Sequence, residues 1–311
     1  MSIEVITPGL QTTIQDGGRS GWRHMGVPQS GAADLFSYKA ANYLLGKAHD
    51  SAVIECTLTG PRLSFLKDMQ ILITGSDMNP RINDKQVETY KTYSVSVGDE
   101  LVMSACSYGC RSYIAFSDDL VCDPIMGSKS TYLPANLGGF NGKILQKGDI
   151  IQTRSSPTFK NKPQDSVEIT GQDFTNQWCL KAIPGPEFDF LDQYSQTLLF
   201  SETYKVSNDS DRMGSRLKGA NLNIKTTDHM MSGPLFPGTL QCPKNGSPIL
   251  LGSDAQTLGG YPRLIQIPLF NRHLIGQLRP GDCIKFRRIS NEEAFEELKQ
   301  QALLFPFIAK I

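Results

Sequence analysis

Four glycine-rich polar clusters hold the side chains of this 311-residue chain that could do chemistry. The first is Pro8-Gly9-Leu10-Gln11-Thr12-Thr13-Ile14-Gln15-Asp16-Gly17-Gly18-Arg19, running on to Gly26-Val27-Pro28-Gln29-Ser30-Gly31-Ala32-Ala33-Asp34. The second spans Gly127–Tyr132, the third Asn208–Leu217 and the fourth Asp254–Pro262. Glycine lets backbone N–H groups approach a ligand closely, and the adjoining Ser, Thr, Gln and Arg supply hydrogen bonds. Arg19, Arg212 and Arg216 can each fork onto a carboxylate or phosphate. Ser30-Gly31-Ala32 precedes a helix that starts at Asp34, where backbone N–H groups can receive an anion. Gly259, Gly260 and Tyr261 bring backbone and an aromatic face beside Asp254 and Gln256. The pattern points to a site gripping a polar, anionic small molecule. A plainer reading competes, because such loops in a β protein are usually turns. If the third cluster is extended, Asp211 and Arg212 point to opposite sides and do not pair directly.

Other chemistries lack their signatures. Gly138-Gly139-Phe140-Asn141-Gly142-Lys143 imitates a Walker loop, but the spacing is one residue short and Ile144 replaces the hydroxyl residue, so it reads as a β-turn. No Gly-x-Ser-x-Gly elbow is present, and Ser64-Phe65-Leu66-Lys67 lacks the accompanying Lys-Thr-Gly. Cys106 and Cys110 have no partner His or second Cys pair, and His24, His49, His229 and His273 share no ligand spacing, so no metal site is expected. No Ala-Met-Lys-Met-like sequence is there to carry biotin.

The elements that must position these clusters read mainly as β. Turn signals recur every 8–12 residues or so, and 28 Gly and 18 Pro leave little room for long helices. Strands are expected at Met69–Thr74, Tyr93–Val97, Leu101–Met103, Ser112–Phe116, Ile249–Leu251, Leu264–Ile267 and Ile284–Phe286. Asn245-Gly246, between Pro243 and Pro248, reads as a hairpin tip. Helices are expected at Asp34–Leu45, capped by Asp34 and stopped by Gly46, and at Asn291–Leu304, ending before Pro306. The polar, proline-broken stretch Arg154–Asp165 reads as a linker. This predicts a first subdomain over 1–155, a linker over 156–165, a second subdomain over 166–290 and a C-terminal helical segment over 291–311.

Equal numbers of basic and acidic side chains, 31 each, give no electrostatic reason to expect nucleic acid or an anionic membrane as partner. No basic leader, spanning apolar run or cysteine framework is evident, so a cytoplasmic protein with reduced thiols is expected.

Taken in order, the clusters resemble a known family. Thr12-Thr13-Ile14-Gln15-Asp16 with Gly18-Arg19, Gly26-Val27-Pro28 with Ser30-Gly31-Ala32 and Asp34, Glu55 with Gly60-Pro61, Gly127–Tyr132, Ile183–Glu187 around Pro184-Gly185-Pro186, Ser210-Asp211-Arg212-Met213-Gly214, Gln241–Leu251 and Gln256–Pro262 are similar to motifs of the biotin-dependent carboxyltransferase family, also called allophanate hydrolase subunit 2. The resemblance runs from Val5 to Phe286. It implies two cyclophilin-like β-barrel subdomains with a few short helices. Among standalone members it is nearest those of ATP-dependent 5-oxoprolinase complexes, which open 5-oxo-L-proline to L-glutamate. That implies ATP at the level of the complex, a subunit-1-type carboxyltransferase half and a third subunit as partners, and a small-molecule substrate.

Carried onto this chain, the resemblance implies Arg212, Asp254 and Tyr261 as catalytic residues: an anion clamp, a base or substrate orienter, and a ring or base contact. Arg19, Ser30 and Asp34 would bind substrate from the first subdomain, and Gln256, Gly259 and Gly260 from the second. Two departures bear on the substrate. Asp118-Asp119-Leu120-Val121 stands where relatives carry Gly-Gly-Ile-Asp, and Leu258 replaces a threonine. Two other functions share the resemblance: the carboxyltransferase subunit of a biotin-dependent urea or amide carboxylase, and a regulatory binder that antagonises a kinase inhibitor by holding its subunit-1-type half.

Overall fold

The structure, a computed structural model, describes residues 2–157, 169, 172–225, 230–305 and 307–308. Most of the expected linker, the start of the expected second subdomain, His229 and the last three residues lie outside the described residues. The protein is mainly β, with two compact units: Met1–Ser20 with Ser30–Phe174, and Gly21–Gln29 with Thr175–Ile311.

In the first unit two antiparallel sheets enclose one core. The six-stranded sheet includes Ile3–Thr7, Arg62–Phe65 and Glu100–Val102, and the five-stranded sheet includes Gln11–Gln15, Val53–Thr57, Met69–Gly75, Thr92–Val95 and Arg111–Phe116. Ile3, Val5, Leu63 and Phe65 pack from one sheet against Ile14, Ile54, Ile71, Ile73, Ile114 and Phe116 of the other. The opposite face of the five-stranded sheet is covered by α1 (Leu35–Leu44), whose Tyr38 and Ala41 meet Val53, Leu72, Tyr113 and Ala115. Burial on both faces explains the unbroken Ile71-Leu72-Ile73 run: alternate side chains enter different cores.

The second unit contains a closed barrel of seven strands: Gln177–Pro184, Arg263–Gln266, Thr239–Gln241, Ile249–Leu251, Gly214–Lys218, Thr203–Val206 and Cys283–Arg288. The first and last strands in chain order close it with a parallel pairing that sets Trp178 beside Ile284 and Leu180 beside Phe286. Their alternation is plain in the sequence, with Trp178, Leu180 and Ala182 buried and Gln177 and Cys179 exposed. Asn245-Gly246 lies in the loop joining the antiparallel strands Thr239–Gln241 and Ile249–Leu251. Besides α1, the structure has α2 (Gln193–Ser201), α3 (Leu269–Arg272) and α4 (Asn291–Leu304). The first two of these were not legible in advance; α2 carries a standard signal in Asp192, whose side chain caps it at Ser195 N, 2.7 Å away. Ser290 caps α4, in a capping box with Glu293. No disulfide joins the seven cysteines, and no described helix is long and apolar enough to cross a membrane.

Asp34 caps α1 as expected, accepting from Ser37 N at 3.0 Å and Ser37 Oγ at 2.6 Å. Replacing it with Ala should cost about 1–2 kcal/mol. Hydrogen exchange at the α1 amides should then quicken about 5–30-fold, whereas Asp34→Asn, also a good cap, should lose little. Unchanged exchange in Asp34→Ala would show that the cap does not hold the helix start.

Candidate functional site

In the first unit, the first two clusters interlock. Asp16 ends the strand Gln11–Gln15, and its carboxyl accepts from Gly18 N at 2.8 Å, Ser128 Oγ at 2.6 Å, Lys129 N at 2.5 Å and Ser130 Oγ. Arg19 is fully buried, and its Nη2 donates to the Ser130 carbonyl. Ser30 adopts a left-handed backbone, φ 57°, and its hydroxyl donates to the Thr131 carbonyl at 3.2 Å. The Walker-like glycines complete this joint. Gly139 has φ +54°, and a Cβ there would fall 1.9 Å from Thr131 Oγ1, so only glycine fits. The Phe140–Lys143 pairing confirms a turn. The structure thus brings Arg19 and Ser30 together on one loop, Ser130–Thr131, while Asp34 stands apart at the α1 cap.

Asp34 instead joins a buried chain of polar groups. Its backbone N–H donates to the Tyr113 hydroxyl at 2.7 Å, and that hydroxyl donates to Glu55 Oε2 at 2.9 Å. Glu55 also accepts from Ala33 N at 2.9 Å and lies 3.5 Å from Arg111 Nε. Burial, then the Glu55 and Asp34 charges, push the Tyr113 hydroxyl well above its ordinary range. The departure at Asp118-Asp119 is matched by lysines. Lys67 lies 2.5 Å from Asp118, and Lys47 donates to Asp119 and, at 3.2 Å, to the Ser117 carbonyl. Burial outweighs the attraction of Asp119 and lowers the Lys47 ammonium below its ordinary value.

In the second unit, Arg212 and Asp254 pair with each other. Nε meets Oδ2 at 2.8 Å and Nη2 meets Oδ1 at 3.0 Å, and both residues are buried. Asp254 N donates to the Arg212 carbonyl at 3.0 Å, tying the third and fourth clusters by backbone as well. The neighbouring Asp211 closes a local turn on Met213 N at 2.8 Å. From this anchored start the fourth cluster runs outward: Gln256, Gly260 and Tyr261 are exposed. Gly259 pairs with Gly233 across a short two-stranded sheet, and a Cβ on it would press against Leu235 at 2.7 Å and Gln241 Nε2 at 3.0 Å. Glu187 and Arg263 were not anticipated as a pair. Nε and Nη2 of Arg263 grip the two Glu187 oxygens at 2.8 and 2.6 Å. The advance signal was position: Glu187 ends the family motif Ile183–Glu187, and Arg263 stands one residue beyond Pro262. Hydrogen bonding from Arg263 holds the Glu187 carboxyl below its ordinary value, against burial.

Comparison with known proteins adds a lineage to this geometry. The family described as "Carboxyltransferase domain, subdomain A and B" matches residues 25–288. The chain is 35% identical over 310 residues to a 5-oxoprolinase subunit of Escherichia coli (strain K12), covering 99% of this chain and 97% of that protein. It is 32% identical to the like-named 5-oxoprolinase subunit of Haemophilus influenzae, covering 99% and 98%. Among solved structures, the urea carboxylase of Kluyveromyces lactis superposes with a TM-score of 0.91 at 27% identity, over 98% of this chain and 29% of that one. The K. lactis urea amidolyase gives the same TM-score at 28% identity, with this chain spanning 20% of its length.

Both tryptophans lie in the second unit, so their fluorescence during urea unfolding reads the Arg212–Asp254 fork. Asp254→Ala or Arg212→Ala alone should lose about 3–5 kcal/mol, by stranding a buried charge. The double variant should lose less than the sum; additive losses would show that the two are not coupled. For Glu187, a folded value below the unfolded one means that its contribution is complete above the unfolded carboxylate value and fades as pH falls through the folded one. The stability gap between the wild type and Glu187→Gln should therefore stay constant from about pH 7 to 5 and close below about pH 4. A gap independent of pH would show that the carboxylate charge is not what Arg263 stabilises.

Proposed function

Because the chain belongs to the family of carboxyltransferase domains, subdomains A and B, we propose that it is a subunit of a cytoplasmic, ATP-dependent 5-oxoprolinase complex opening 5-oxo-L-proline to L-glutamate. The observation that carries this reading is the end-to-end similarity to two proteins named as 5-oxoprolinase subunits. A protein named as a subunit implies companions, which are a subunit-1-type half and a third protein.

ATP supplies the complex with a phosphoryl group for the lactam oxygen, which makes the ring carbon open to water and places negative charge where hydrogen-bond donors are needed. The residues of this chain divide by exposure. Arg212 and Asp254 hold each other in the interior of the second unit and act as positioning residues for the loop beyond them. Gln256 and Tyr261, with the Gly259 and Gly260 backbone, present the polar and aromatic surface to substrate. In the first unit, Arg19 and Ser30 shape the Ser128–Thr131 loop, and Asp34 sets the start of α1. A urea-type carboxyltransferase, in which biotin carries the carboxyl group, is the second reading, favoured by the superposition on K. lactis urea carboxylase.

The test is release of glutamate and ADP from 5-oxo-L-proline and ATP, using this protein mixed with the subunit-1-type half and the third subunit, with avidin present. Turnover should persist under avidin and vanish when this chain is left out. Turnover blocked by avidin would move the assignment to biotin chemistry. Tyr261→Ala should lower kcat/KM at least about tenfold while leaving urea unfolding unchanged; full activity would remove Tyr261 from the site.

A further inference from the structure

In the second unit Arg212, Arg263 and Arg279 meet acids; among the described residues Arg23 and Arg272 meet none. Arg23 opens the short turn Arg23–Met25. Its Nη2 donates to the Leu235 carbonyl, and its guanidinium lies over the Phe236 ring, 5.2 Å from the centroid. Nη1 of the same group is buried with no hydrogen-bond partner among the described residues. Arg272 ends α3, and its Nε is likewise buried without a partner among the described residues. Among the described residues no carboxylate lies within ion-pair distance of either. The stretches that carry them adjoin: Gln266 Nε2 donates to the Pro237 carbonyl at 2.9 Å and Ile267 N to the Gly238 carbonyl at 2.8 Å, just beyond Phe236 and just before α3. Burial, then the positive charge of Arg23, lowers the Arg272 guanidinium below its ordinary value.

A guanidinium withdrawn from water is costly unless its donors are matched. The protein matches the Arg212 and Arg263 forks with carboxylates and leaves these two donors facing like charge. Packing does not account for the arrangement, since a neutral side chain would fill the space without repulsion. Among the described residues Arg23 Nη1 and Arg272 Nε lack an acceptor, and the pair offers two guanidinium groups, one held by a carbonyl and an aromatic ring. We propose that Arg23 and Arg272 together seat the oxyanion group, carboxylate or phosphate, of a small ligand. Phe236 and Met25, 49% and 62% exposed, give the ligand's carbon skeleton an apolar edge to lie against. The seat is next to the fourth cluster in the same unit. Leu235 N donates to the Thr257 carbonyl at 2.9 Å, and Pro234 pairs with Leu258. It does not depend on which reaction the complex runs, since a lactam acid and a nucleotide both carry such a group.

Calorimetric titration of the full chain by itself tests the seat without turnover. The probes are sodium phosphate, 5-oxo-L-proline, and 2-pyrrolidinone, which is the same ring without its carboxylate. Wild-type protein should bind phosphate or 5-oxo-L-proline but not 2-pyrrolidinone, and which anion binds distinguishes the two sources. Arg23→Gln and Arg272→Gln should each weaken binding about tenfold or more, while Arg288→Gln, whose side chain lies over Phe188 elsewhere in the unit, should not. Arg272→Lys, keeping charge without the fork, should recover part of the loss. In anion-free buffer, Arg272→Gln should melt at a higher temperature than wild type, because like charges are relieved. Neither anion binding wild type, Gln variants binding as wild type does, or a lowered melting temperature for Arg272→Gln would overturn the proposal. A failed oxoprolinase assay would leave it standing, and loss of the seat would leave the oxoprolinase reading standing.

Discussion

A carboxyl group taken out of water must find replacements for its hydration, and this requirement organises both units. Asp16 is the clearest case. Its two oxygens collect two backbone N–H groups and two serine hydroxyls, so the chain from Gly127 to Thr131 wraps around it. Once Ser130 and Thr131 are held there, their carbonyls receive Arg19 and Ser30. The Gly138-Gly139 loop then packs against the same two residues so closely that side chains cannot fit. Removing the carboxyl would leave a set of donors and loops without their common acceptor.

The second unit meets the same requirement with guanidinium forks. Arg212 on Asp254 and Arg263 on Glu187 each join distant stretches of sequence, 42 and 76 residues apart. Paired this way, a buried carboxylate costs far less than it would alone, and each fork fixes direction as well as distance. The barrel supplies the frame. Its strands alternate apolar side chains inward, leaving the strand ends and loops to carry glycine, amide and aromatic groups. Rigid forks at the loop roots and exposed Gln256 and Tyr261 at their ends make an arrangement suited to holding a small polar molecule.

The sequence motifs of the family turn out to serve two purposes that look alike when written as letters. Asp16, Ser128, Ser130 and Asp34 are buried and satisfied by the fold, while Gln256, Gly260 and Tyr261 face solvent. The acidic departure at Asp118-Asp119 belongs with the first kind, since Lys47 and Lys67 answer it directly. Both kinds of residue are expected wherever a β scaffold must hold long loops in one conformation and present a few groups to a ligand.

From the chain alone, the mainly-β class, the helices at Asp34–Leu45 and Asn291–Leu304, the strands around Met69, Ser112, Ile249 and Ile284, and the family motifs were legible. Those features rest on local rules: alternation, helix caps, turn residues and ordered short patterns. Only the tertiary structure could decide that Arg212 meets Asp254, that Asp34 also joins a buried chain through Tyr113 to Glu55, and that Arg23 and Arg272 meet no acid among the described residues. Each depends on which of many chemically equivalent partners the fold brings into reach. An arginine looks the same in sequence whether its fork is filled or waiting. Contact between side chains far apart in the chain is set by packing and register, and neither composition nor spacing carries that information.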